Sequence, residues 1–193
     1  MATATPSRLR LAAAVAGALI VAGCGSSAHP AKTSQFAWLR PSAAPRDWLV
    51  GRLPSRTATL AYPRGWSAIR TDPGTFSAAL LGPHGRIRGY LNATPLSGPE
   101  TLANWSSFRV AHNREEGDRQ VVRESFASGL RFQSGTGSCV VDRYATITSH
   151  YREIACIVRG TRATTVVVAA AQPGDWTRLA PQLRRAVASF SVA

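Results

Sequence analysis

The chain has 193 residues, 45% of them hydrophobic and 17% charged, and its 23 Lys and Arg against 10 Asp and Glu leave a net charge of +13. That length holds one ordinary domain with a tail, and the near-average apolar content is enough for a real core. The bases are scattered and all but Lys32 are arginine, with no run longer than Arg184-Arg185 and no basic helix interleaved with aromatics, which argues against a nucleic-acid partner. An anionic lipid surface or wall polymer suits the excess better. Arginine usage in a GC-rich genome would produce the same excess without any partner.

In chain order, Arg8 and Arg10 precede an apolar run from Leu11 to Ala22. It has the length of a signal-peptide core and stops well short of the roughly 20 residues that span a bilayer. The run leads into Val21-Ala22-Gly23-Cys24, which resembles the bacterial lipobox, with Val21 where leucine is commoner. The resemblance implies that residues 1–23 are a lipoprotein signal peptide and that the Cys24 thiol takes a diacylglyceryl group. A second acyl chain such as palmitate completes a stable anchor, since one chain binds a bilayer only marginally. The mature domain would then sit on the extracytoplasmic face of the cell membrane. A plain cleaved signal peptide and an uncleaved anchor are the alternatives. Loss of Arg8 and Arg10 with the leader still leaves a charge of about +11.

Residues 24–56 are expected to form a tether and a partly packed extension. Gly25 to Gln35 has the composition of a flexible spacer, whereas Trp38 and Trp48 are costly to leave in water. Ala43-Ala44-Pro45-Arg46-Asp47-Trp48 through Arg52 echoes Ala61-Tyr62-Pro63-Arg64-Gly65-Trp66 through Arg70. Two copies do not make a repeat array, and similar turns before two strands would explain them.

The domain is expected over 57–193. Strands are predicted at 57–61, 66–70, 76–81 and 87–94, the last two as a hairpin. Ser97 and Glu100 suggest a capping box that opens a helix carrying Leu102, Trp105, Phe108 and His112, and Gly117 ends it. Further strands are predicted at 120–126, 130–133, 139–148, 151–158 and 164–171. A last helix places Trp176, Leu179, Leu183, Val187 and Phe190 on one stripe, with Pro181 either starting it or kinking its first turn. The pattern is α+β: an antiparallel sheet flanked by helices.

If 139–148 and 151–158 form a hairpin turning near Ser149, Cys139 faces Cys156 and Val141 faces Ile154. An even cysteine pair in an exported chain suggests a disulfide, with a stabilisation of roughly 3 kcal/mol. Two buried free thiols are the alternative; a metal or redox pair is disfavoured by the lack of C-x-x-C.

Residues from about 57 to 191 resemble the Mog1/PsbP-like fold, in particular the LpqN-type lipoproteins of actinobacteria. The resemblance is carried by Tyr62-Pro63-x-Gly65-Trp66, a helix around Leu102-Trp105, a run of hairpins and the ending Val187-Ala188-Ser189-Phe190. It implies an α/β/α sandwich and no reaction, because members serve as binding or assembly factors and a fold alone names no function.

No catalytic motif, metal spacing or cofactor signature is present. The stretch most like a site is Asn104, Trp105, Arg109 and His112 on one helix face, with Tyr90 and Asn92 from the preceding strand. Together these would make a polar-aromatic pocket for an anionic or sugar-like ligand. The alternative is a helix whose apolar residues are core and whose polar groups are solvated. The expectation is a non-enzymatic envelope module binding an anionic lipid, glycolipid, wall polymer or partner protein. An enzyme using Arg109 and His112, or a purely structural lipoprotein, are the competing readings.

Overall fold

The structure, a computed structural model, describes residues 34–193. Cys24, the leader and most of the spacer lie outside the described residues. Among those described, no helix is long and apolar enough to cross a membrane.

Among the described residues, ten strands and two α-helices follow in order. They are β1 (Leu49–Arg52), β2 (Ala58–Tyr62), β3 (Ser67–Ile69), β4 (Phe76–Leu81), β5 (Ile87–Pro95), α1 (Trp105–Glu115), β6 (Arg119–Phe132), β7 (Gly135–Ala145), β8 (His150–Arg159), β9 (Thr164–Ala171), α2 (Pro173–Ala188) and β10 (Ser191–Val192). Seven strands make one antiparallel sheet in the order β3-β4-β5-β9-β8-β7-β6, and β1-β2-β10 make a second. The α+β architecture expected from the sequence is the one observed; the small second sheet is additional.

Period-two alternation decides which side of the large sheet each residue serves. Cys139, Val141, Ile154, Cys156, Val167 and Ala169 face the main core, where they meet Leu179, Leu183 and Val187 of α2 and Leu60 of the small sheet. Val140, Ala155, Ile157, Val166 and Val168 face the other way, toward Trp105 and Phe108 of α1. Over β7 and β8 both faces are therefore covered, and β7 to β9 read as nearly continuous apolar runs.

The β7–β8 register opposes Cys139 to Cys156 and Val141 to Ile154, and the two cysteines form a disulfide. The echoed tetrads make matching turns, Trp48 N donating to Pro45 O at 3.1 Å and Trp66 N to Pro63 O at 3.0 Å, each just before a strand. Part of the expected extension belongs to the fold. Phe36 and Leu39 are buried in the main core, Trp38 and Trp48 pack on it, and β1 pairs with β2.

Three expectations need correction. α1 starts at Trp105, not at Ser97. Glu100 Oε1 does accept from Ser97 N, but the working box is four residues later, where Thr101 N donates to Asn104 Oδ1 and Asn104 N to Thr101 Oγ1. The predicted strands 120–126 and 130–133 are one bent strand, β6, because Gly129 at φ 68° accommodates a register shift between Ala127 and Leu130. α2 runs through Pro181, whose ring stands on the exposed face while the opposite stripe is buried. Phe190 follows the helix end and is still fully buried.

Candidate functional site

α1 is only 11 residues long and lies over β6, β7 and β8. The same face of β4, β5 and β9 is left without a helix, and a cleft of about 1090 Å³ occupies that space. This is just above the range of roughly 300–1,000 Å³ usual for small-molecule sites. Its floor is Tyr90, Asn92 and Thr94 of β5 with Val166 and Val168 of β9. One wall is α1, the other is the 69–75 segment, and Ser97–Glu100 close one end.

Spacing along α1 builds the first wall. Trp105, Phe108 and His112 fall on one stripe, with ring centroids 6.2 Å apart for the first pair and 5.7 Å for the second, both stacked. Trp105 is fixed from behind by its indole N–H, which donates to Ala155 O at 2.9 Å. His112 Nε2 lies 3.2 Å from Glu116 Oε1. On the floor, Asn92 Nδ2 donates to Ser77 Oγ, and Thr94 Oγ1 donates to Asn92 Oδ1.

The structure brings five of the six residues singled out in the sequence, Tyr90, Asn92, Trp105, Arg109 and His112, onto one cleft. Asn104 is not among them. It sits at the α1 N-terminus, where its carboxamide oxygen caps Thr101 N and its Nδ2 donates to Pro99 O. That outcome follows from the later helix start: residue 104 stands just before the first helical residue, and its amide is spent on the turn that leads into the helix.

Arg109 lines the cleft but is already committed. Its Nε and Nη2 donate to the two oxygens of Glu153 at 2.7 and 3.0 Å, a bidentate pair on a carboxylate with no exposed surface. Burial pushes its guanidinium pKa down, but the charge and hydrogen bonds of Glu153 outweigh that and raise it. Beside this pair, Tyr90 and Tyr144 share a hydroxyl–hydroxyl bond of 2.6 Å, and burial followed by Glu153 holds both phenols neutral by raising their pKa.

Sequence reading missed the acid behind the pair. Asp142 belongs to no local motif, yet it lies directly across from Glu153 in the β7–β8 register, fully buried, with no donor to either oxygen. Burial, and then the neighbouring Glu153 charge, push its pKa up to about 9. It is held as a neutral acid that can donate toward Glu153. The signal was available: the alignment that opposes the two cysteines opposes these two acids.

No protein-family model and no curated protein matches the chain. Solved structures do. The solution structure of the cyanobacterial PsbP protein CyanoP from Synechocystis superposes with a TM-score of 0.53 at 12% identity, over 78% of this chain and 95% of that one. The fold is PsbP-like. LpqN of Mycobacterium tuberculosis, described as involved in cell envelope biogenesis, superposes at 0.39 with 14% identity, covering 78% of this chain and 80% of that one. A Pseudomonas aeruginosa protein of unknown function gives 0.44 at 10% identity, over 76% and 97%.

In this PsbP-like domain the charge at the cleft is not that of the whole chain. Arg109 and His112 are the basic lining residues, and Asp72, Glu100, Glu115 and Glu116 are the acidic ones. Glu100 is 6% exposed; Oε1 is used by Ser97 N, and Oε2 has no partner. Just beyond the helix, burial and then the Glu116 charge raise the pKa of Asp118. Among the described residues, no group of three or more His, Cys, Asp or Glu is placed to hold a metal ion.

Proposed function

We propose that this chain is a lipid-anchored, extracytoplasmic binding module of the cell envelope, and that its work is to hold a ligand rather than to transform one. The observation that carries the reading is the cleft: a large, part-aromatic space left open because α1 covers only half of its sheet face. The residues with most catalytic potential support binding over chemistry. Arg109 is tied to Glu153, and His112 faces Glu116 on its own helix. The anchor and location rest on Val21-Ala22-Gly23-Cys24 and its apolar leader. A disulfide supports an oxidising compartment. The ligand expected is an envelope lipid, glycolipid or wall polymer with an apolar portion, and the basic outer surface suits an anionic membrane.

Anchoring is tested by feeding an alkyne fatty acid to cells expressing the full chain. Wild type should be labelled and sediment with membranes, and Cys24→Ala should be unlabelled and released; an unlabelled wild type sinks the anchor. Binding is tested by titrating an extract of envelope lipids into the protein and following tryptophan fluorescence. A response that Phe108→Ala abolishes supports the cleft, and one that Phe108→Ala leaves intact removes it.

A further inference from the structure

All ten acidic residues of the chain lie in the described part, and they are unevenly placed. Four line the cleft, and Asp118, Asp142 and Glu153 stand close behind α1. Against them the cleft has Arg109, whose charge is met by Glu153, and His112. Arg70 belongs to the 69–77 segment and lines an adjoining hollow of about 450 Å³ that shares Ile69, Thr71, Asp72 and Ser77 with the cleft, but it is not itself among the residues lining the cleft. A protein of net charge +13 thus carries an acidic cleft.

Two features make this more than a surface cluster. Glu100 is more than nine-tenths buried at the end of the cleft, and its Oε2 meets no donor. A buried carboxylate oxygen without a partner is costly, and a ligand N–H or an ammonium group would relieve that cost. The neighbouring wall is aromatic, since Phe108 reaches the Gly98–Glu100 turn and stacks between Trp105 and His112. Aromatic faces next to carboxylates attract cations. Glu115 and Glu116 also sit at the C-terminal end of α1, where the helix dipole already favours positive charge.

We propose that the cleft selects a cationic amphiphile: an alkyl- or aryl-ammonium whose head is taken by Glu100 and the acids near it, and whose apolar body lies on Trp105, Phe108, Val166 and Val168. This rests on the binding reading above and reverses the ligand charge expected from the sequence. Arg109 suggested an anion there, and its pairing with Glu153 removes that suggestion.

Octylammonium, octyl sulfate and octyl glucoside share a tail and differ in head charge, and the ammonium can donate N–H to Glu100 Oε2. Each is titrated calorimetrically into the folded protein below its critical micelle concentration. Binding lost in Phe108→Ala is counted as cleft binding, which sets aside octyl sulfate on surface arginines. The ammonium should bind the cleft at least tenfold tighter than the other two. Glu100→Gln, which keeps an oxygen for Ser97 N, should weaken the ammonium at least fivefold and change octyl glucoside by less than twofold. The exposed double variant Glu115→Gln/Glu116→Gln should weaken the ammonium alone by at least twofold and serves if Glu100→Gln does not fold. Cleft binding with equal or greater affinity for the sulfate or the glucoside, or with no response to either set of substitutions, overturns this inference and leaves the binding module standing. No cleft binding by any of the three overturns both.

Discussion

Asp142 and Glu153 face each other across β7 and β8 with no exposed surface, and only Glu153 has a cation. Two ionised carboxylates cannot share that space cheaply, so Asp142 keeps its proton. Its pKa rises from 3.8 to about 9 on folding, chiefly through burial. Below pH 3.8 both folded and unfolded chains hold the proton, and pH does not matter. Between there and about 9 the unfolded chain releases a proton that the folded one keeps, so stability falls as pH rises, by up to about 1.4 kcal/mol per unit. Asp142→Asn removes this slope and retains a donor toward Glu153. Melting temperatures at pH 5 and pH 8 should converge for the variant and separate for wild type; equal separation in both would show that Asp142 ionises freely. Arg109 belongs to the same group of buried charges. Leaving Glu153 without it would strand a buried charge, a loss on the scale of 3–5 kcal/mol, whereas replacing both partners is milder.

At the scale of elements, β7 and β8 carry the densest information. The double variant Cys139→Ala/Cys156→Ala should lose about 3 kcal/mol in chemical denaturation, the loop-closure value for a separation of this length. No loss would mean that packing alone holds the register. This hairpin was legible because apolar alternation, a turn at residues 146–149 and two cysteines all agree on one alignment. Strands β4, β5 and β9 were legible for similar reasons, with Gly-Pro punctuation between the first two and TTVVVAAA in the third. Where signals competed, the reading slipped. Ser97-x-x-Glu100 and Thr101-x-x-Asn104 are both capping boxes by spacing, and Pro99 does not choose between them. β1 and β10 were hidden because a four-residue and a two-residue strand gain their identity only by pairing with β2. The cleft was half legible: helix spacing collects Trp105, Arg109 and His112, but nothing local reveals that Glu153 claims Arg109 from 44 positions away.

At the scale of the whole molecule, charge separates into a basic exterior and an acidic cleft. The exterior would add an attraction to an anionic bilayer to that of the proposed lipid, and that part should be salt-sensitive. Protein carrying Cys24→Ala and lacking the acyl group should co-sediment with phosphatidylglycerol vesicles in 50 mM NaCl and be released by 500 mM. Retention at high salt would point to apolar insertion, and no binding at low salt would make the arginine excess compositional.

The disulfide and the carboxyl pair occupy opposite faces of the same two strands, and this bears on when the domain can fold. On the proposed export route, a chain still in a reducing and near-neutral cytoplasm would lack the cross-link and would have to take up a proton at Asp142 to close the hairpin. Both conditions would weaken the native state where an exported chain has to stay unfolded. After crossing, oxidation would seal the register, and any acidity outside would add to it. On that route one hairpin would act as a timer for translocation, keeping the chain open on the side where it is made and closing it on the side where it works.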